Sequence, residues 1–221
     1  MTIPARERPL LDALSFTVRA GELVALMGLN RSGKTTLLST IAGLYNHQGE
    51  VVVQGTRLTP KTAARTRKSM GYLFNVPEDQ LLFPRVIDDV AYGLVRQGMP
   101  RDQAHAGAHE MLTRLGIADR AHCSVHDLSH GQKQRVALAG ALVTGASLLL
   151  LDEPSAALDP VAKMQLLALL RSLEARTLLC ATNDLPFAKA LCDRFVLLEE
   201  GRLILDSADV TGVMAHWGIS E

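Results

Sequence analysis

Residues Gly28-Leu29-Asn30-Arg31-Ser32-Gly33-Lys34-Thr35 fit the phosphate-loop spacing G-x-x-x-x-G-K-[ST] at every fixed position, and no other stretch constrains the chain so tightly. The pattern calls for a buried strand before it and a helix after it. Both are legible: Glu22-Leu23-Val24-Ala25-Leu26-Met27 is a short apolar run, and Thr36-Leu37-Leu38-Ser39-Thr40-Ile41-Ala42 has helical spacing. A helix N-terminus carries unpaired amide donors and about half a positive charge, which suits it to hold phosphate oxygens. In that setting Lys34 is expected to reach the β- and γ-phosphates of a nucleotide, and the Thr35 hydroxyl to ligate magnesium.

The chain is 221 residues long, enough to bury a sizeable core in one α/β domain. Its 23 basic and 23 acidic residues cancel, and the sequence pI is near 7.1, so no basic field invites nucleic acid. Cys123, Cys180 and Cys192 are too few and too scattered for a disulfide framework or metal site, which suggests a reducing cytoplasm. Met1 to Arg8 lacks the apolar segment of a signal peptide. The longest uncharged run, Val136 to Leu151, is 16 residues, short of the roughly 20 that span a bilayer. Work at a membrane is therefore expected to go through a partner.

In order, Leu10 to Val18 alternates and reads as an antiparallel strand leading to the phosphate-loop strand; Glu50 to Gln54 reads as another. Lys61 to Lys68 reads as a solvated basic helix face, and Met70 to Asn75 as a buried strand running into a loop. Helices are expected over Val86 to Val95 and Arg101 to Leu115, restarted by Gly98-Met99-Pro100, and this tract looks like an inserted helical lobe. A loop at Leu128 to Gln132 opens a helix from Lys133 to Val143. The strand Leu148 to Leu151 then ends in Asp152-Glu153, two carboxylates at the end where parallel sheets bind ligands. A helix over Val161 to Ala175, a strand over Thr177 to Ala181, a helix over Pro186 to Leu191 and a hairpin over Arg194 to Leu205 complete the α/β pattern. His216 and Trp217 are expected to pack a short final helix. His47, His105, His109, His122 and His126 show no ligand spacing and read as surface.

The phosphate loop, Leu128-Ser129-His130-Gly131-Gln132 before a helix, and Leu148-Leu149-Leu150-Leu151-Asp152-Glu153 stand in an order and spacing that resemble the nucleotide-binding subunits of ATP-binding-cassette (ABC) transporters, over nearly the whole chain. The resemblance implies a P-loop NTPase fold of the ABC ATPase type. A RecA-like core with an antiparallel β part would cover residues 1–77 and 134–221, and a helical signature subdomain 78–133. It implies ATP and Mg²⁺ as ligands, with Gly28 to Thr35 and Thr36 as the Walker A contact and Asp152 closing Walker B. Glu153 takes the place of the catalytic carboxylate that polarises water. Ser129, His130, Gly131 and Gln132 match the signature loop, which in this family closes over the ATP of the opposite subunit, and Ala157-Leu158-Asp159 matches the D-loop. A second ATPase subunit, as homo- or heterodimer, and membrane-embedded transporter subunits docking near Asn75 to Phe83 are the implied partners, on the cytoplasmic face of a bacterial inner membrane. Phe74 to Phe83, Arg135 to Gly140 and Leu191 to Arg194 are similar to energy-coupling-factor importers, particularly the cobalt and nickel branch, with vitamins such as biotin as the other cargo class. A regulatory nucleotide-binding module and a non-transport cassette ATPase are the alternatives.

Five features depart from that family's pattern. Asn75 stands for the Q-loop glutamine that approaches magnesium and water, and Asn183 for the switch histidine. An asparagine donates hydrogen bonds but carries no charge and shuttles no proton near neutral pH. His130 replaces a signature glycine, Arg31 replaces a Walker A glycine, and the N-terminus offers no aromatic for the adenine, leaving Arg6 or Arg8 to cover it. Retained binding with slow turnover is the expectation. A further possibility is that His130 reaches the partner's γ-phosphate and restores what Asn183 lacks.

Overall fold

The computed structural model describes residues 10–173 and 176–219. A six-stranded sheet lies at its centre. The strands are β1 (Leu23–Met27), β4 (Met70–Leu73), β5 (Leu148–Asp152), β6 (Thr177–Thr182), β7 (Arg194–Glu199) and β8 (Arg202–Ser207), in the order β4-β5-β6-β1-β7-β8. All neighbours pair in parallel except β7 and β8, which form the closing antiparallel hairpin. A separate two-stranded sheet joins β2 (Val52–Val53) to β3 (Thr56–Arg57).

Side chains alternate across the central sheet, as strand geometry requires, and this divides the core in two. Val24, Leu26, Leu148, Leu150, Leu179 and Val196 face α1 (Lys34–Ile41), whose Leu37 and Leu38 cover them. Ala25, Met27, Leu149, Leu151, Leu178 and Leu197 face the opposite layer. There α3 (Val86–Arg96), α4 (Arg101–Arg114), α5 (His130–Val143), α6 (Pro160–Arg171) and α7 (Leu185–Leu191) pack. The short α2 (Ala63–Arg67) buries Ala63 and Thr66 and leaves Arg65, Arg67 and the flanking Lys61 and Lys68 exposed, as the basic run suggested. Closing the chain is α8 (Thr211–His216), with Trp217 half-buried against the core.

Several expectations need correction. Leu10 to Val18 forms no strand, although its alternation is real: Leu11, Leu14, Phe16 and Val18 rest half-buried on the α1-side core. Ala13 adopts a positive φ of 50°, which breaks the extended run, and the Asp12 amide donates to the Gly201 carbonyl in place of a ladder. Glu50 to Gln54 shrinks to the two residues of β2. Gln54 and Gly55, both at positive φ, then turn the chain into β3, which pattern alone does not reveal. Helix α5 begins at His130 rather than Lys133 because Ser129 caps it, and α6 runs from Pro160 to Arg171; Ala175, its expected end, lies outside the described residues. His105 is half-buried, its Nε2 lying 3.1 Å from Asp88 Oδ1. Arg6 and Arg8, suggested as covers for the adenine, lie outside the described residues.

Candidate nucleotide site

Four loops leave the C-terminal ends of adjacent parallel strands β4, β5, β6 and β1, and they meet at one cavity of about 960 Å³. Asn30, Arg31, Ser32, Gly33, Lys34, Thr35 and Thr36 line it from β1 and α1, Asn75 from β4, Asp152 and Glu153 from β5, and Asn183 from β6; Leu10 and Ala156 complete the wall. Gly28 and Leu29, also expected at the site, do not line the cavity; their carbonyls hold the lysine instead, Lys34 Nζ donating to Gly28 O at 2.6 Å and to Leu29 O at 3.3 Å.

Gly33 caps α1 at φ 110°, a conformation that strains any residue with a Cβ, and an added Cβ would also meet the Leu11 side chain. The cap supplies no side-chain acceptor and the first turn holds no acid, so the helix end keeps its positive potential for an anion. The Lys34 ammonium is nonetheless buried. Burial lowers its pKa, while the Glu153 and Asp152 carboxylates oppose the fall; Glu153 Oε1 lies 3.7 Å away. Ser32 Oγ is buried without a hydrogen-bond partner.

Asp152 is fully buried, and neither of its carboxylate oxygens has a hydrogen-bond partner. Burial pushes its pKa up to about 6; the Thr35 hydroxyl opposes the rise, Glu153 adds to it and Lys34 opposes it. The hydroxyl acts on the carboxyl without the geometry of a hydrogen bond, so the group is in effect unpartnered. A buried, unpaired carboxylate is costly, and a cation is the simplest compensation. Among the described residues no three acidic, histidine or cysteine side chains cluster as a metal cage. One carboxylate, the Thr35 hydroxyl and the Asn75 amide around a shared cavity suit a hard cation that keeps its waters and takes its remaining ligands from phosphate.

Glu153 follows at φ 48°, strained for a residue with a side chain. Its amide donates to Ala181 O at 2.8 Å, and its Oε2 accepts from Thr182 Oγ1 at 3.0 Å and the Asn183 amide at 3.4 Å. Asn183 Nδ2 in turn reaches Asn30 Oδ1 at 3.5 Å. Behind this loop, Asp184 Oδ2 accepts from Lys163 Nζ at 2.6 Å and Ser155 Oγ at 3.1 Å, while its Oδ1 caps α7 through the Phe187 amide.

The signature-type residues sit elsewhere: Ser129, His130, Gly131 and Gln132 do not line this cavity. Ser129 and Gln132 form a reciprocal capping box at the start of α5, and Gly131 lies so close to the Ala157 carbonyl that a Cβ would come within 2.6 Å of it. His130 is exposed, with Nδ1 3.4 Å from Glu78 Oε1, and Lys133 Nζ donates to the same oxygen at 3.2 Å. Asp159, in the stretch read as a D-loop, caps α6 through the Ala162 amide.

Residue patterns alone missed two glutamines. Gln80 accepts from the Phe74 amide and donates to Ala137 O, both at 3.0 Å. Gln134, 2% exposed, donates to Glu153 O at 3.3 Å. The available signal for Gln134 was its place two residues before the apolar run Val136 to Leu142, a polar group on the buried side of the same helix.

A family model described as ABC transporter matches residues 11–156. A Methanopyrus kandleri protein named as an ABC transporter ATP-binding protein is 42% identical over 199 residues, covering 88% of this chain and 74% of the relative. The energy-coupling factor transporter ATP-binding protein EcfA1 of Levilactobacillus brevis is 39% identical over 202 residues, covering 90% and 72%. Among solved structures, cbiO1 from Clostridium perfringens, part of the ABC transporter complex cbiONQ, superposes with a TM-score of 0.78 at 30% identity, covering 94% of this chain and 85% of that one. A dimeric ATP-binding cassette in a post-hydrolysis state bound to ADP and Pi superposes with a TM-score of 0.83 at 25% identity, covering 90% of each chain.

Proposed function

This chain belongs to the ABC transporter family and has its P-loop NTPase fold, and from that premise we propose that it binds and hydrolyses ATP to drive an energy-coupling-factor importer. One observation carries most weight: a phosphate loop and an unpartnered buried carboxylate, Asp152, face the same cavity.

Gly28, Leu29, Asn30, Arg31, Ser32, Gly33, Lys34, Thr35 and Thr36 are assigned to the triphosphate, with loop amides and the Lys34 ammonium offsetting its charge. Mg²⁺ would be held by Thr35 and Asp152, with Asn75 beside them, and when bound it neutralises charge on the terminal phosphates. Glu153 orients the attacking water and accepts hydrogen bonding from it, its carboxylate aimed by Thr182 and the Asn183 amide. Asn183 donates a neutral hydrogen bond toward the γ-phosphate. Ser129, His130, Gly131 and Gln132 are assigned to the ATP of a second ATPase subunit, like or unlike this one. Their absence from this chain's own cavity is consistent with that role.

Among the described residues no helix is long and apolar enough to cross a membrane. Membrane-embedded partners are therefore proposed to dock on the segment Asn75 to Phe83, where Val76 and Leu82 stand exposed, at the cytoplasmic face of a bacterial inner membrane. The similarity to EcfA1 and cbiO1 supports the importer type, with cobalt, nickel or a vitamin such as biotin as cargo bound by the membrane partner. Copurification with a hydrophobic subunit, together with Mg²⁺-dependent ATP hydrolysis, tests this reading. Nucleic acid in place of that subunit would overturn it. The asparagines at 75 and 183 favour one second reading, a regulatory cassette that closes on ATP and hardly turns over. Measured hydrolysis separates the two.

A further inference from the structure

The geometry points to Gln134 as a positioning residue that makes the reach of the Glu153 carboxylate depend on where helix α5 is seated. The inference rests on the catalytic role proposed for Glu153.

Glu153 needs holding because its backbone sits at φ 48°. A non-glycine residue there persists only where its surroundings over-determine it. On the strand side its amide is fixed to Ala181 O at 2.8 Å. Its carbonyl accepts from the Ala156 amide at 3.2 Å and from Gln134 Nε2 at 3.3 Å. Gln134 is therefore the side chain that ties the strained peptide to a different secondary-structure element.

That element is the helix opened by Ser129, and its opposite attachment repeats the device. The Ala137 carbonyl, one turn along from Gln134, accepts from Gln80 Nε2 at 3.0 Å, while Gln80 Oε1 holds the Phe74 amide next to Asn75. Two amides thus connect one stretch of α5 to the two loops that bring Asn75 and Glu153 to the cavity. Gln134 is almost wholly buried, so its donor cannot exchange Glu153 O for water at no cost. A shift of α5 large enough to break the bond would leave the Glu153 peptide without one of its anchors and free the carboxylate from its aim. A displacement on the order of 1 Å is enough to cost a large factor in rate.

The test uses the full-length chain with two near-isosteric changes, Gln134→Met, which removes the donor, and Gln134→Glu measured at a pH where the carboxyl is ionised and donates nothing. Backbone amide exchange is measured in the nucleotide-free protein, and kcat and KM for MgATP are measured in parallel. The inference expects about tenfold faster exchange across residues 153–158 with other segments unchanged. It also expects kcat down by at least tenfold and KM within twofold of the parent. Unchanged exchange at 153–158, or faster exchange with kcat preserved, overturns it, as does a loss of kcat matched by a rise in KM. A parent chain without any ATP hydrolysis would sink the proposed function instead, and the exchange result alone would then decide whether Gln134 holds the Glu153 peptide.

Discussion

Lys34 Nζ stands 3.7 Å from Glu153 Oε1, a cation at the start of α1 facing a carboxylate just past β5. Both side chains have other tasks. The ammonium also donates to the Gly28 and Leu29 carbonyls, and the carboxylate accepts from Thr182 and the Asn183 amide through its second oxygen. The phosphate-loop lysine and the carboxylate proposed to face the attacking water are therefore each held in place by partners in their own loops.

Glu153→Gln keeps the size and polarity of the side chain and removes its charge. Lys34 retains its two carbonyl partners, so the loop keeps its shape. Turnover is expected to fall by about 10²-fold or more while MgATP affinity stays within a few-fold, because the lost interaction belongs to the reacting water. Steady-state ATPase rates and equilibrium nucleotide binding check both halves.

Asp152 gives a pH-dependent stability effect. Its carboxyl pKa is raised by burial to about 6, above the ordinary 3.8, so the fold favours the protonated form. Its contribution is fully present below pH 4 and is lost as pH rises through 6. Asp152→Asn removes that loss: the nucleotide-free variant should be more stable than the parent at pH 7 by about 2 kcal/mol, with the advantage shrinking toward pH 4. Denaturant melts at the two pH values read it directly. The same variant should lose Mg²⁺-dependent nucleotide binding, the cost of a site left uncompensated for function.

Asn183→His and His130→Gly address the slow turnover expected from the departures. Placing an imidazole at 183 should raise kcat about tenfold, since a titratable donor would then stand where the proposed site puts the γ-phosphate. His130 is turned toward Glu78 of its own chain, and Lys133 shares that carboxylate. If His130 instead serves the partner's phosphate, His130→Gly lowers hydrolysis. Unchanged or faster hydrolysis rules out that compensation.

Asp184 holds the loop of Asn183 by three bonds, from Lys163, Ser155 and the Phe187 amide. Burial, the largest single influence, raises its pKa, but these bonds outweigh it and the net shift is downward. Asp184→Ala is expected to cost about 2 kcal/mol through the lost α7 cap and the unpaired Lys163. The deficit should narrow as pH falls below the ordinary carboxylate range, because the parent then loses the same stabilisation. Urea unfolding at pH 7 and pH 3 checks it.

The parts of the fold that were legible in the residues are those where local chemistry and burial agree. The apolar runs of β1 and β5, the Gly33 turn and the carboxylates at the end of β5 all follow from position and residue type. Leu10 to Val18 misled because alternation reports which side chains are buried and not whether a ladder partner exists; the positive φ at Ala13 breaks the pairing that alternation implies. The hairpin of β2 and β3 was invisible because two-residue strands leave no period to count. Gln80 and Gln134 were missed for a related reason. Their significance lies in bonds to residues 57 and 19 positions away, and only the packing of α5 against β4 and the short turn around Pro77 to Gln80, and its approach to the residue after β5, brings these together.

The central claim, that a magnesium-bound triphosphate rests on the Lys34 turn, is tested most directly by the affinity of Lys34→Ala for MgATP. The account predicts a loss of at least about 10²-fold with the fold intact by circular dichroism, since the buried cation proposed to offset the phosphate charge is gone. Affinity equal to that of the parent chain would contradict it.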